Sequence, residues 1–261
     1  MAIITLTTDF GTGSPYVAAM KGVILSIAPD VTLVDLTHDV PAQDVRRAST
    51  VLDGVCERFP DGTIHVVVVD PGVGTDRAVI YARMGGQQYV GPDNGVLGRL
   101  STRHAPDPLI RLQNPAFWLP EVSRTFHGRD IMAPVAAHLA RGVEPTELGP
   151  PHLALIVLEE PTPRVAKQRI DGAIEAIDSF GNLITNITVD MLHGWPSDER
   201  VCVVCNIFET WGIWSTYAEQ PSGTLVALIG SSGQLELAVV NDNAAERLGL
   251  QPGVPVTVAW E

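Results

Sequence analysis

The sequence predicts an α/β N-terminal domain with a central, mostly parallel sheet covered by helices, followed by a smaller, β-rich C-terminal domain. Three observations lead to this fold class. The first part of the chain alternates strand and helix signals, which is typical of helices layered on a sheet. Its most apolar segment, residues 64–69, is β-branched apart from one histidine, as strands buried on both faces often are. Beyond residue 168 the pattern changes to short strands separated by turns.

Each element of the first domain has its own local signal. Strands are expected at residues 3–7, 31–36, 64–69, 78–82 and 88–90. A first helix begins at Pro15, because Ser14 is a good N-cap and proline is favoured at the first helical position. Apolar residues spaced along 45–55 predict a second helix with one buried face. A third helix is expected at 129–141, ended by Gly142.

The domain boundary is predicted from two proline-rich stretches, at residues 149–151 and 159–163, which enclose a short strand-like piece at 153–158. We expect residues 1–155 to form the N-terminal domain, 156–167 a linker and 168–261 the C-terminal domain. Strands of the second domain are predicted at residues 172–177, 201–205, 224–229, 235–240 and 254–260.

Charge and composition exclude several classes of partner. The chain has 30 acidic and 17 Lys or Arg residues, a net charge of −13. This balance argues against binding to nucleic acid or to an anionic membrane, and it permits a cationic small molecule. Its apolar runs are too short to span a bilayer. Three cysteines without an export signal indicate the cytoplasm.

Asp9 is the first candidate binding residue, because it follows the first strand, where open α/β sheets bind ligands. Gly11 and Gly13 resemble half of a dinucleotide-binding fingerprint, but Tyr16 stands where the third glycine belongs. This mismatch argues against a dinucleotide site, and a tight turn is enough to explain the two glycines. The acid at the strand end suits a ribose diol.

A second candidate site joins a strand end to a helix start. Asp70 follows the most buried strand, and Arg77 returns towards the same edge after a Pro-Gly turn. An ordinary turn with a surface ion pair has the same spacing. His127 precedes Gly128 at a predicted helix N-terminus, where the helix dipole lowers the pKa of an imidazole. A lone histidine is more often structural.

The second domain has two polar segments. Asp178, Phe180 and Asn182 provide hydrogen-bonding groups and a ring that can stack on a flat ligand, although an Asx-rich turn has the same composition. The segment from Ser232 to Asn241 offers backbone and hydroxyl donors, or simply a hairpin turn followed by a capped helix. The remaining pair, Cys202 and Cys205, lies on a strand with its members on opposite faces, which argues against a zinc or redox site.

Taken in order, these segments resemble the SAM hydroxide adenosyltransferases, which are S-adenosyl-L-methionine (SAM) hydrolases related to fluorinases and chlorinases. The resemblance covers nearly the whole chain. The matching motifs are TDFG at 8–11, LTH at 36–38, VP at 40–41, VDPGVG at 69–74, GPDNG at 91–95, TFHGRD at 125–130, SFGN at 179–182 and TNI at 185–187.

The resemblance implies hydrolysis of SAM to adenosine and L-methionine, with no metal or other cofactor. It also implies a homotrimer with active sites between subunits. The residues that handle the attacking water fall on Asp70, Arg77 and His127. The implied substrate-binding residues are Asp9, Phe10, Val73, Phe126, Gly128, Asp178, Phe180, Asn182, Ser232 and Asn241.

Three features favour water over halide as the nucleophile. Halogenases of this superfamily typically have Tyr in place of Asp70 and Ser in place of Gly128, and they carry an extra loop that this chain lacks. The chain also departs from its relatives, because Gln43 stands where an aromatic residue is common and Ile184 replaces a tryptophan. Two alternatives to the hydrolase stay open: a halide-dependent SAM halogenase, and a non-catalytic SAM or adenosine sensor.

Overall fold

The computed structural model describes residues 2–260, and its contacts divide the chain into two units between Leu158 and Glu159. The first unit contains β1 (Ile3–Thr8), α1 (Pro15–Ile27), β2 (Thr32–Thr37), α2 (Val45–Val55), β3 (Ile64–Val68), β4 (Val79–Met84), β5 (Gln87–Pro92), α3 (Gly98–Arg103), β6 (Leu109–Arg111) and α4 (Ala133–Ala140). Among residues 2–260, no helix combines the length and the apolar character needed to cross a bilayer.

The sheet of the first unit is mixed. Its strand order is β2-β1-β3-β5-β4-β6, and the first four strands are parallel to one another. β4 runs antiparallel to both β5 and β6. The reversal follows from the tight turn at Gly85-Gly86, where both residues have positive φ, because a two-residue turn can join only antiparallel neighbours.

Helices cover both faces of this sheet. Along β3, Val66 and Val68 pack into a core shared with α1 and α4, whereas Val67 contributes to a core shared with α2 and α3. Burial on both faces accounts for the continuous apolar run in the sequence. α1 begins as predicted, with the Ser14 hydroxyl accepting from the Tyr16 N–H and Pro15 in the first turn.

Two local predictions for the first unit are wrong. Residues 153–158 form no strand. Among residues 2–260, the β-pairing next to this segment is limited to an isolated bridge between Ile110 and Pro151. The helix predicted at 129–141 is divided, since Gly128–Met132 forms a π-helical turn before α4 begins. α3 and β6 lie in segments for which the sequence predicted no element.

The parallel pairing of β1 with β3 positions the candidate site. Thr8 is in register with Val68, so the residues that follow these two strands leave the sheet at one edge. Asp9 and Asp70 are therefore brought to the same edge by adjacent strands. This is the edge at which open α/β sheets bind ligands.

The second unit is built from β-strands with one short helix. It contains β7 (Arg164–Ala166), β8 (Arg169–Ile177), β9 (Leu183–Thr188), β10 (Val201–Cys205), β11 (Phe208–Trp211), β12 (Ile213–Trp214), β13 (Leu225–Ile229), β14 (Gln234–Val239), α5 (Ala244–Leu248) and β15 (Pro255–Trp260). The sheet order is β11-β10-β15-β8-β9-β14-β13-β12, with β7 beside β8. Gly212 joins the two end strands, so the sheet curves back on itself. The predicted linker, 156–167, includes β7.

Candidate active site

A cleft of about 320 Å³ lies at the carboxyl edge of β1 and β3. Loops that follow these strands form one wall, and the segment before α4 forms another. The lining residues are Asp9, Phe10, Ala42, Gln43, Val68, Asp70, Pro71, Val73, Thr125, Phe126, His127 and Gly128. The cleft therefore brings together the sequence-predicted site residues of the first unit, with Arg77 bound to two of them.

Asp70 and Arg77 form a buried, fork-like ion pair. Arg77 Nε donates to Asp70 Oδ1 at 2.8 Å and to Oδ2 at 3.1 Å, and the terminal nitrogen also contacts Oδ2. The side chains are 4% and 10% exposed, respectively, so the pair differs from the surface ion pair that the sequence left open. The turn between them is held by the Thr75 hydroxyl, which donates to the Gly72 carbonyl at 2.7 Å. Such two-pronged contacts fix orientation as well as charge.

His127 completes the group through the same guanidinium. Its Nδ1 lies 2.9 Å from a terminal nitrogen of Arg77. Because a guanidinium has only donors, Nδ1 is the acceptor and carries no proton. Burial lowers the pKa of His127, and the positive charge of Arg77 lowers it further. These causes differ from the helix dipole expected from the sequence.

Asp9 is held by the backbone of the neighbouring loop. Its Oδ2 accepts the N–H of Gln43 at 2.8 Å. Gln43 adopts a positive φ of 65°, which few residues other than glycine favour. Sequence reasoning identified Gln43 only as a departure from relatives. Its backbone contact had no sequence signal, because any residue type supplies the same N–H.

Three aromatic rings pack beside the cleft. Phe10 lies 5.7 Å from Tyr16 and 5.7 Å from Phe126, and the latter two are 5.2 Å apart between centroids. The Arg129 guanidinium lies over Phe126 at 5.0 Å. Tyr16, at the position where the dinucleotide fingerprint fails, is therefore part of an aromatic cluster. Gly11 and Gly13 both have positive φ and make the tight turn that the sequence allowed.

Gly128 has no room for a side chain. A Cβ at this position would lie 2.9 Å from Val68 Cγ1 and 3.4 Å from the Met20 sulfur. Any larger residue must therefore displace Val68, which lies on β3 directly before the Asp70 loop.

The predicted residues of the second unit form one ordered turn between β8 and β9. Asp178 Oδ1 accepts the N–H groups of Phe180 and Asn182 at 2.8 and 2.9 Å, and its Oδ2 accepts the Asn182 amide at 2.9 Å. These bonds make the Asx-rich turn that the composition also indicated. They leave Phe180 77% exposed.

The other two predicted residues of this unit lie on exposed turns. The Ser232 hydroxyl donates to Gln234 Oε1 at 3.3 Å, and Asn241 adopts a φ of 60°. Asn243 caps α5 by accepting the N–H of Glu246 at 3.0 Å. The segment thus contains the hairpin turn and capped helix that the sequence left as an alternative.

Two larger clefts lie elsewhere. One has a volume of about 600 Å³ and is lined in part by Trp214. The other has a volume of about 640 Å³ and is lined mainly by residues 105–110 and 151–155. Neither contains the Asp-Arg-His group, so chemistry rather than size selects the smaller cleft. Across residues 2–260, no three His, Cys, Asp or Glu side chains are grouped closely enough to hold a metal ion. The three cysteines are free.

The chain matches two family models. The N-terminal domain of SAM hydroxide adenosyltransferases matches residues 4–149, and the C-terminal domain of the same family matches residues 172–257. A solved structure of an uncharacterized conserved protein from Thermotoga maritima has a TM-score of 0.92 and 34% identity. That comparison covers 99% of this chain and all of the other.

Curated relatives extend over almost the full length. A protein named (R)-S-adenosyl-L-methionine hydrolase from Thermus thermophilus is 38% identical, over 98% of this chain and 99% of its own. One of the same name from Salinispora arenicola is 37% identical, over 96% and 95%. A fluorinase from an Actinoplanes species is 28% identical, over 98% and 97%. The chain therefore belongs to the SAM hydroxide adenosyltransferase family.

Proposed function

We propose that this protein hydrolyses SAM to adenosine and L-methionine by in-line attack of water on C5′ of the ribose. The activity follows from membership of the family and from relatives that are named hydrolases. The observation that supports the mechanism is the Asp70–Arg77–His127 group at the edge of the ligand cleft, in which the Asp70–Arg77 ion pair is buried.

The reaction needs a positioned nucleophile more than an acid. The water oxygen forms a bond to C5′ while the C5′–sulfur bond breaks. The electron pair of the broken bond stays on sulfur and neutralises the sulfonium. Methionine leaves as a neutral thioether, so no leaving-group proton is required. The enzyme must hold the water in line and accept one of its protons. We assign no metal or cofactor to this step.

Asp70 is the proton acceptor in this mechanism. The lone pair on His127 Nδ1 is already engaged by Arg77, whereas the Asp70 carboxylate has more lone pairs than donors around it. Arg77 orients Asp70 and stabilises negative charge on the attacking oxygen. His127 accepts from the same terminal nitrogen of Arg77 that contacts Asp70, which holds the guanidinium further in place. In a cleft from which bulk water is excluded, these charge interactions strengthen.

Substrate binding is divided between the two units in this proposal. Asp9 binds the ribose diol with the oxygen that Gln43 leaves free, and Phe10 and Phe126 supply apolar surface. The second unit contributes a stacking ring from Phe180, which is exposed. The remaining assigned binding residues are Val73, Gly128, Asp178, Asn182, Ser232 and Asn241.

We place these sites between subunits of a homotrimer, as the family resemblance implies. We place the protein in the cytoplasm because it has only three cysteines, an odd and low number that suits a reducing compartment.

The test is direct. Purified protein is incubated with SAM, and adenosine and methionine are quantified by chromatography. The proposal expects equal amounts of both products, and it expects little of either from the Asp70→Asn variant. Tight binding of SAM without adenosine release would instead indicate a sensor.

A further inference from the structure

The motif GPDNG at residues 91–95 has no role in the mechanism above, yet it lies beside the loop at 69–78 that carries Asp70 and Arg77. The motif contains the last residues of β5 and the turn that follows them. β5 pairs with β3, which precedes the loop, and with β4, which follows it. The turn is therefore placed to contact both ends of the loop.

The ladder between β3 and β5 stops where a proline removes a donor. In a parallel pair every second N–H of one strand donates to its neighbour, and the Gln88 N–H donates to the Thr63 carbonyl at 2.9 Å. Continuing this alternation along β5 brings Pro92 to the donor position opposite the Val67 carbonyl. Proline has no N–H, so the backbone of β5 cannot extend the ladder towards the end of β3.

The Asn94 side chain supplies the next bond of this series. Its Nδ2 donates to the Val69 carbonyl at 2.9 Å, and its Oδ1 accepts the Val96 N–H at 3.2 Å. Since a carbonyl only accepts and an N–H only donates, these two partners also fix which end of the amide is which. The Val69 carbonyl belongs to the same planar peptide group as the N–H and Cα of Asp70. The bond therefore fixes the plane from which Asp70 leaves the sheet.

The turn also holds the far end of the loop, and it is itself anchored. The Asp93 N–H donates to the Ala78 carbonyl at 2.9 Å. The Asp93 carboxylate has other partners, because it accepts the Ile156 N–H at 2.8 Å and lies 2.8 Å from His152 Nε2. Asp93 thus ties the turn to a neighbouring segment, and the side chain that follows it acts from a fixed position.

We infer that Asn94 is a positioning residue, which holds the peptide group before Asp70 so that the carboxylate meets both Arg77 and the attacking water. This inference rests on the proposed function. Asn94 is not among the residues that line the cleft, so it acts on the reaction through Asp70. An asparagine suits this place because its amide donates to a carbonyl and accepts from an N–H at once, which an ionised carboxylate of the same size cannot do.

Two variants separate loss of the donor from loss of the whole side chain. Asn94→Asp keeps the size and the acceptor for the Val96 N–H, but its ionised carboxylate cannot donate to the Val69 carbonyl. Asn94→Ala removes both bonds. We expect each variant to lower kcat about 10- to 100-fold, the cost of displacing a catalytic group by about 1 Å, and to change the KM for SAM less than about threefold, because Asp9 still binds the ribose.

Asn114 provides the matched control. Its Nδ2 donates to the Glu147 carbonyl at 2.8 Å and its Oδ1 accepts the Ala116 N–H at 3.1 Å, which are the same two kinds of bond in the same unit but away from the cleft. Asn114→Asp and Asn114→Ala should lower the melting temperature, as the Asn94 variants do. They should leave kcat, measured well below the melting temperature, unchanged within about twofold, because distant sites act independently.

A measurement independent of turnover completes the test. The N–H groups of Val73 and Thr75 are hydrogen-bonded within the loop, both at 3.1 Å. Hydrogen exchange of peptides that cover residues 70–78, followed by mass spectrometry, should become about two- to tenfold faster in the Asn94 variants, since losing one hydrogen bond favours local opening by that factor. The Asn114 variants should leave this segment at its wild-type rate.

The two measurements also separate this inference from the proposed function. If the protein releases no adenosine from SAM, the proposed function fails while the exchange rates still decide the inference. The inference is overturned if exchange at 70–78 is unchanged in the Asn94 variants, or if their kcat falls no further than that of their Asn114 counterparts. If Asn94→Ala does not fold, the nearly isosteric Asn94→Asp decides by the same measurements.

Discussion

Replacing Asp70 with Asn tests the proposed mechanism most directly. The substitution keeps the size of the side chain and one acceptor oxygen, but it removes the charge that Arg77 neutralises and the base that accepts the water proton. General-base groups contribute about 10²- to 10⁴-fold to a rate, which is about 2.7–5.4 kcal/mol of transition-state stabilisation. We expect kcat to fall by that factor, with a much smaller change in the KM for SAM, because Asp9 holds the ribose.

The same change also affects stability, which the assay must separate. Asp70 and Arg77 are 4% and 10% exposed, so the variant leaves a buried guanidinium without its counter-charge. Breaking a buried pair in this way costs about 3–5 kcal/mol, less where an amide oxygen remains. Activity is therefore measured well below the melting temperature, by single-turnover release of adenosine.

Asp53→Asn provides the comparison. It removes the charge from another Asp–Arg pair of the same unit, in which Arg103 lies 2.5 Å from the carboxylate. This variant should keep its kcat and lose little stability, because the Arg103 side chain is 45% exposed and also pairs with Glu57. An Asp70→Asn enzyme that hydrolyses SAM within about tenfold of the wild-type rate would remove Asp70 from the role of base.

Six further outcomes are expected. The wild-type kcat/KM should be constant near neutrality and fall only below the ordinary histidine pKa of about 6.5, because burial keeps His127 neutral to lower pH; a fall centred above that value in a pH titration would contradict this. Added chloride or fluoride should give no 5′-halo-adenosine by chromatography. The Gly128→Ser variant should mainly lose hydrolytic activity, since the Cβ of the serine would lie 2.9 Å from the side chain of Val68. Asp9→Ala should weaken SAM binding in calorimetry more than it lowers kcat. Sedimentation should show that the protein is a trimer, and a monomer that retains full activity would refute the intersubunit site. The Phe180→Ala variant should have a higher KM for SAM.

The sequence predicted best the features that depend on local signals. The start of α1 was predictable, because Ser14 and Pro15 specify a helix N-terminus without help from the rest of the fold. The β3 run was equally predictable, since only a strand buried on both faces requires so many consecutive β-branched residues. The orientation of β4 was missed although it also has a local signal, because two glycines between two short strands are typical of a hairpin turn.

The residues of the candidate site also differ in how far local sequence signals could identify them. Asp70, Arg77 and His127 were predictable as candidates from their positions at a strand end and a helix start. Their mutual contacts were not, because Arg77 and His127 are fifty residues apart and meet only in the folded unit. The bond from the Ser123 N–H to Asp130 had no signal at all, since any residue type except proline supplies the same backbone group. The assignments in the second unit, such as Phe180, stay predictions.

The π-helical turn at Gly128–Met132 has a consequence for how this protein can change. The Ala133 N–H reaches back five residues to the Gly128 carbonyl, so the turn contains one more residue than an α-helix would. One residue corresponds to about 100° of rotation around a helix axis. The turn therefore sets His127 at a fixed angular offset from the apolar face of α4, about one residue's rotation away from where a continuous α-helix would place it. Gaining or losing a single residue in this turn would rotate His127 relative to the cleft while the face of α4 stays packed on the sheet.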